Sequence, residues 1–213
     1  MHWVEADVQP SSDLVPVLFH DDTLGRTTDG DGLLREQRLV ELAALDAGGW
    51  RGAEHAGERI PTLHEFLSAM PTAGRVLLEI KGPHSPAELI AELAVIRATA
   101  TAARVWLHSF EVEVLRELAE ALPGGWLGLL RDEKLDDDPV AACRQLAASS
   151  YHPEYKLLLD RPEVVAPLHA AGLSVIVYTA DDPDDWQRIT EIGVDGIITN
   201  RPVELLAWQH DGS

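Results

Sequence analysis

Two carboxylates stand two residues apart near the start of the chain, Glu5 and Asp7 in Trp3-Val4-Glu5-Ala6-Asp7-Val8, and His20 follows in Val17-Leu18-Phe19-His20-Asp21-Asp22. A strand puts residues i and i+2 on one face. Two carboxylates so placed repel each other unless a cation or a proton lies between them. A short turn at positions 10–14 brings back a second strand that ends in an imidazole, whose ordinary pKa suits proton transfer near neutral pH. Hard oxygen ligands beside an acid–base histidine suggest metal-assisted hydrolysis of an oxyanion ester. Taken alone, the same residues also read as solvated strand-edge acids and a histidine that caps a strand.

The elements that must position these groups alternate. Short apolar runs at 76–81, 105–110, 126–131, 149–153, 174–179 and 196–200 predict strands, and 86–99, 111–122, 139–148, 161–171 and 183–192 predict helices between them. Leu115, Leu118, Ala119 and Leu122 recur at helical spacing and read as core. Gly172 and Gly193 fall where helices should stop. Such alternation implies parallel strands with right-handed crossovers. Residues 3–8 add one strand to the series. The run 15–20 follows too closely for a crossover and should pair antiparallel as a hairpin. That leaves about seven barrel-type strands, one fewer than a closed (β/α)₈ barrel. Between His20 and Pro61 glycines such as Gly25, Gly30, Gly32, Gly48, Gly49 and Gly52 break the pattern, with a short helix expected at 40–45; this segment reads as an excursion over one end of the barrel. A helix is expected again at 61–70, and the tail after Trp208 is expected to fray.

The 213 residues fit one domain, and 46% hydrophobic content is ample for its core. With 36 acidic against 17 basic residues the net charge is −19. There is no basic stripe, which argues against nucleic-acid binding through phosphates. The lone Cys143 excludes a disulfide framework and reads as a small buried hydrophobe, and no apolar stretch is long enough for a membrane span. The expectation is a cytoplasmic protein.

Several segments together carry a family likeness. They are Glu5-Ala6-Asp7-Val8, the run from Pro16 through His20-Asp21-Asp22-Thr23-Leu24-Gly25-Arg26-Thr27-Thr28, Ile60-Pro61-Thr62-Leu63, Leu78-Glu79-Ile80-Lys81, His108-Ser109-Phe110, His152-Pro153 and the run from Gly193 to Pro202. In this order, over nearly the whole chain, they resemble the glycerophosphodiester phosphodiesterases. The resemblance implies an α/β fold, the TIM (β/α)₈ barrel of the phospholipase-C-like phosphodiesterase type, as a single domain over 1–213 with an insertion at about 21–60. Family members usually open with a strand ending in His-Arg-Gly, and that first βα unit has no counterpart here. It carries one of the family's two catalytic imidazoles and a phosphate-holding arginine. The expectation is therefore a piece of a longer chain. If the chain starts at Met1, the alternative is a catalytically impaired protein that binds metal or phosphoester, with low thermal stability or a homodimer covering the open edges.

Carried over residue by residue, the resemblance implies Glu5, Asp7 and Glu79 as ligands of a divalent cation, Mg²⁺ or Ca²⁺, and His20 as general acid–base catalyst. Lys81, two residues after Glu79 and on its face, would neutralise charge building on phosphate oxygens; a salt bridge to one of the carboxylates is a rival role, and the two can coexist. His108, Ser109, His152 and Tyr178 fall at later strand ends and would shape the pocket for a small glycerophosphodiester, hydrolysed to sn-glycerol 3-phosphate and an alcohol. Each of those four also reads as a structural residue. His2 lies at the wrong end of its strand for catalysis. Arg26 reads as a loop salt bridge. The family's hairpin often carries glycine where Leu14 stands, and a bulky residue tolerates positive φ poorly, so a different turn type is expected. Tyr178 stands where the family often has tryptophan. A lipase acting on intact lipid would need an apolar docking rim, and no aromatic or basic cluster supplies one.

Overall fold

A computed structural model describes residues 3–211 of the chain. The chain divides into two compact units, one running up to Val105 and the other from Trp106 onward.

In the first unit, β1 (Trp3–Pro10) pairs antiparallel with β2 (Pro16–Leu18), with Val8 opposite Leu18 and Pro10 opposite Pro16. This is the expected hairpin. The turn between them corrects one expectation: Leu14 adopts a left-handed φ of 63°, so the turn keeps the conformation that glycine would favour. The loop around it is over-determined. Ser11 Oγ donates to Asp13 Oδ1 and accepts from the Val15 N–H, the Leu14 N–H reaches the Ser11 carbonyl, and Asp13 Oδ1 also takes the Leu39 N–H. Those bonds hold the backbone where the leucine alone would not place it.

On its other side β1 pairs in parallel with β3 (Arg75–Ile80), in a register that sets Asp7 opposite Glu79. The helices of this unit start at capping boxes. Thr62 and Glu65 close the first turn of α2 (Leu63–Ala69), and Ser85 and Glu88 that of α3 (Pro86–Arg97). The excursion after His20 contains 3₁₀ turns at Leu24–Arg26, Leu34–Glu36 and Ala53–His55 and one helical turn, α1 (Leu39–Leu42). It has its own small core: Val17, Phe19, Leu24, Leu34, Leu42 and Ile60 pack together, with Leu39, Leu45 and Ala47 against them. His20 thus follows directly on the buried Phe19.

In the second unit, β4 (Val105–Ser109), β5 (Leu127–Arg131), β6 (Ser150–Pro153), β7 (Ser174–Val177) and β8 (Gly196–Ile197) pair in parallel in chain order. Between them run α4 (Val112–Ala121), α5 (Pro139–Gln145), α6 (Tyr155–Asp160), α7 (Val165–Ala170) and α8 (Pro183–Ile192). Proline opens α5 and α8 behind the aspartate caps Asp138 and Asp182, and Gly193, at a φ of 89°, closes α8.

Three expectations change here. The helix expected at 161–171 begins as a 3₁₀ turn, Pro162–Val164, and only then becomes α7. Helix α6 was not expected; its N–H groups at Lys156 and Leu157 are capped by the Glu154 carboxylate. The tail does not fray at Trp208. Helix α9 (Pro202–Asp211) continues past it, and Trp208 packs edge-on against the buried Trp186 at 6.0 Å. Cys143 is fully buried, as expected of a small hydrophobe. No helix among the described residues is long and apolar enough to cross a membrane.

Candidate active site

The β1–β3 register brings four of the expected residues together. Glu5 and Asp7 share a face of β1, and Glu79 enters from β3 opposite Asp7. A carboxylate oxygen of Glu5 and one of Glu79 lie within 4.8 Å of each other. Lys81, just past the end of β3, sets its ammonium 3.4 Å from Asp7 Oδ1 and 3.2 Å from Glu79 Oε1. The salt-bridge role for Lys81 is therefore present, and to both carboxylates.

Burial governs the electrostatics of this group. The Glu5 carboxyl is pushed up from 4.5 to about 7 by burial first and Asp7 second, with Lys81 and His20 pulling the other way. The Glu79 carboxyl also rises to about 7; burial dominates, Lys81 opposes it, and Asp7 and Glu5 add to it. For Lys81 burial works against the charge, but Glu79 and Asp7 outweigh it and hold the ammonium above its ordinary value. Like charges in a poorly solvated place raise carboxyl pKa values in this way. A divalent cation is the partner that such a set of hard oxygens accepts. The donor set fits the implied metal.

His20 stands just past β2 with its side chain 63% exposed. A cleft of about 350 Å³ is lined by Asp7, Leu18, Phe19, His20, Pro61 and Phe66, so His20 and one of the carboxylates border the same space. Gln9 holds the backbone there. Its side-chain amide, almost fully buried, donates to the carbonyls of Phe19 (3.0 Å), His20 (3.3 Å) and Asp21 (3.0 Å). Sequence reasoning missed this residue. The signal was available: Gln9 continues the Glu5, Asp7 period of two on the same strand face. His20 Nδ1 lies 2.7 Å from Asp21 Oδ1, and Arg26 grips the Asp21 carboxylate, so the expected loop salt bridge of Arg26 is present.

In the second unit His108 and His152 meet, Nδ1 to Nδ1 at 3.0 Å, and both are buried. His152 Nε2 also lies 2.8 Å from Ser150 Oγ. Burial first, then the neighbouring His108, pushes the His152 pKa well below its ordinary value, so this imidazole is neutral. Gly128 makes the pair possible. A Cβ at that position would lie 2.5 Å from His152 Cε1 and 3.0 Å from His108 Cβ. Ser109 Oγ accepts the Glu111 N–H at the start of α4, and the Tyr178 ring meets Phe110 edge-on at 5.9 Å. His2 lies outside the described residues.

The geometry can be set beside known proteins. The sequence matches the model of the Glycerophosphoryl diester phosphodiesterase family over residues 1–204. A glycerophosphodiester phosphodiesterase of Caldanaerobacter subterraneus is 34% identical over 209 residues, covering 95% of this chain and 84% of that protein. Among solved structures, an Oleispira antarctica phosphodiesterase in complex with the product sn-glycerol-3-phosphate superposes with a TM-score of 0.92 at 28% identity, over 99% of this chain and 85% of that one. A glycerophosphodiester phosphodiesterase of Agrobacterium tumefaciens gives 0.79 at 28% identity, over 94% and 84%. The α/β, TIM-barrel-type fold of these phosphodiesterases is thereby shared. With the family's match spanning nearly all its residues, the chain belongs to the glycerophosphoryl diester phosphodiesterase family.

Proposed function

We propose that this protein hydrolyses glycerophosphodiesters to sn-glycerol 3-phosphate and an alcohol, using a divalent cation held by Glu5, Asp7 and Glu79. The observation that carries the reading is the carboxylate group itself: three acids around one lysine, two of them pushed up to about 7 by burial. Such an arrangement disfavours the ionised protein alone and favours a cation. When bound, Mg²⁺ or Ca²⁺ supplies Lewis-acid polarisation of the phosphoryl oxygens.

The chain's own residues do the rest. Lys81 is held as an ammonium between Asp7 and Glu79 and offsets negative charge that builds on the phosphate oxygens. His20 gives a proton to the departing alkoxide or takes one from the nucleophile, so that one O–H and one P–O bond are exchanged in hydrolysis. The bordering cleft, with Leu18, Phe19, Pro61 and Phe66 in its wall, receives part of a small substrate. His108, Ser109, His152 and Tyr178 are proposed as substrate contacts, beside the packing roles already described. The same proposal treats the chain as one family domain, acting in the cytoplasm on a small molecule rather than on nucleic acid.

The test is release of glycerol 3-phosphate from glycerophosphocholine with Mg²⁺, with Ca²⁺ and with EDTA. Turnover should need the cation, vanish in Glu5→Ala, and fall about 10²- to 10⁴-fold in His20→Gln. Equal turnover in EDTA, or an unaffected His20→Gln variant, would remove the proposal.

A further inference from the structure

We propose that Asp21 and Arg26 form a positioning pair for His20, holding its imidazole in the Nδ1–H tautomer so that Nε2 is the nitrogen that exchanges protons with the substrate. The inference rests on the acid–base role proposed for His20 and adds to it which nitrogen acts and what fixes it.

An exposed histidine in a loop has rotamer freedom and two tautomers, and a catalyst needs one of each. Here the chain bends at His20 because Gln9 gathers three successive carbonyls, from Phe19, His20 and Asp21. Adjacent side chains that would diverge on a straight strand are thereby brought together, and Asp21 Oδ1 comes to 2.7 Å from His20 Nδ1. Arg26 binds the same carboxylate in a fork, Nη2 donating to Oδ1 at 2.8 Å and Nε to Oδ2. That fork holds the Asp21 carboxyl far below the ordinary carboxylate range, first through the Arg26 hydrogen bonds. An Asp21 that stays ionised can only accept. His20 Nδ1 must then donate, and the hydrogen bond made by one ring nitrogen sets the role of the other.

Arg26 is itself delivered by a rigid piece. It ends the 3₁₀ turn that begins at Leu24, whose side chain is buried in the small core of the excursion. The Leu24 carbonyl takes both the N–H and the hydroxyl of Thr28, and the Leu24 N–H reaches the Gly32 carbonyl. Asp21 and Arg26 need not touch substrate; both act through His20.

The experiment is ¹⁵N NMR of the His20 ring together with steady-state kinetics, on the wild type, Asp21→Ala, Asp21→Asn and Arg26→Lys. In the wild type, Nδ1 should carry the proton and Nε2 should show the shift of an unprotonated ring nitrogen. Asp21→Ala should lose that preference and lower kcat about 10- to 100-fold with KM little changed. Asp21→Asn puts an NH2 donor where His20 and the Arg26 fork need two acceptor oxygens, so it should not rescue either readout. Arg26→Lys keeps the charge without the fork and should fall between. Should Asp21→Ala fail to fold, the exposed Arg26 side chain makes Arg26→Lys decisive by the same two readouts. An Asp21→Ala variant with an unchanged tautomer overturns the proposal. So does a variant whose tautomer shifts while kcat holds. A rise in KM alone for Arg26→Lys would instead make Arg26 a direct phosphate contact. The acid–base reading fails separately, through an active His20→Gln, whatever the ring shifts report.

Discussion

Replacing Glu5 by glutamine should stabilise the protein without cation at alkaline pH while destroying its response to cation. Glu5 titrates at about 7 in the fold against 4.5 ordinarily, chiefly through burial. The folded state therefore binds the proton more tightly than the unfolded state, and stability falls as pH rises between those two values. The contribution is fully present below about 4.5 and lost as pH passes through about 7. At about 1.4 kcal/mol per tenfold in proton affinity, the separation corresponds to roughly 3 kcal/mol. Glu5 is only partly buried, and solvent screening reduces this to about 1–2 kcal/mol. Glutamine keeps the shape and removes the charge.

In urea unfolding with EDTA, Glu5→Gln should thus exceed the wild type by about 1–2 kcal/mol at pH 8 and match it at pH 4. Adding cation at about 100 times its Kd should raise the wild type by about 2.7 kcal/mol and the variant by much less, which inverts the order at pH 8. A variant less stable than wild type in EDTA at pH 8, or a difference independent of pH, would show that burial does not strain this carboxyl and would refute the reasoning.

Leu14→Gly should raise stability by about 0.5–1 kcal/mol, because relief of the left-handed backbone outweighs the added chain entropy; a loss in urea unfolding would contradict this. Gly128→Ala should cost about 1–3 kcal/mol and push His152 away from His108, since the new methyl group would meet the His152 ring; wild-type stability with unchanged histidine ring shifts would count against it. His84→Ala should cost about 2–3 kcal/mol. Its ring is fully buried with Nε2 2.9 Å from Glu92 Oε1, and Glu92 Oε2 already lacks a hydrogen-bond partner among the described residues. A change below about 0.5 kcal/mol in His84→Ala would show that Glu92 finds water instead.

Strand alternation made Glu5 and Asp7 legible at once, because a period of two needs only neighbouring residues. Glu79 and Lys81 were legible only through the family likeness. Their Leu-Glu-Ile-Lys run has no local mark of a site; what makes it one is the pairing of Asp7 with Glu79 across 72 positions of chain. Asp21 and Arg26 stand in the same stretch as His20, yet the approach of Asp21 to the imidazole depends on carbonyls that Gln9 gathers from another strand. Gly128 carried a signal of its own, since glycine inside a strand marks close approach, but which side chains approach is a tertiary fact. Helices α6 and α9 escaped because Leu157-Leu158-Leu159 and Leu205-Leu206 are short apolar runs without a period long enough to read. At Leu14 local propensity opposes the left-handed backbone and loses to the hydrogen bonds around it.

The same residues that hold the site also explain why it is not optimised for stability. Lys81 is tied to the excursion through its backbone: Arg35 donates to the Lys81 carbonyl at 3.3 Å and approaches His84 Nδ1 at 3.2 Å, and His84 is anchored on Glu92 of α3. A lysine that served only as a salt bridge would need no such support, since its flexible stem can find two carboxylates by itself. The added anchoring fixes the Lys81 backbone from which the stem reaches Asp7 and Glu79. Lys81 pulls the pKa of both Glu79 and Glu5 down, but burial outweighs it and leaves each at about 7. That strain is what a bound cation would remove.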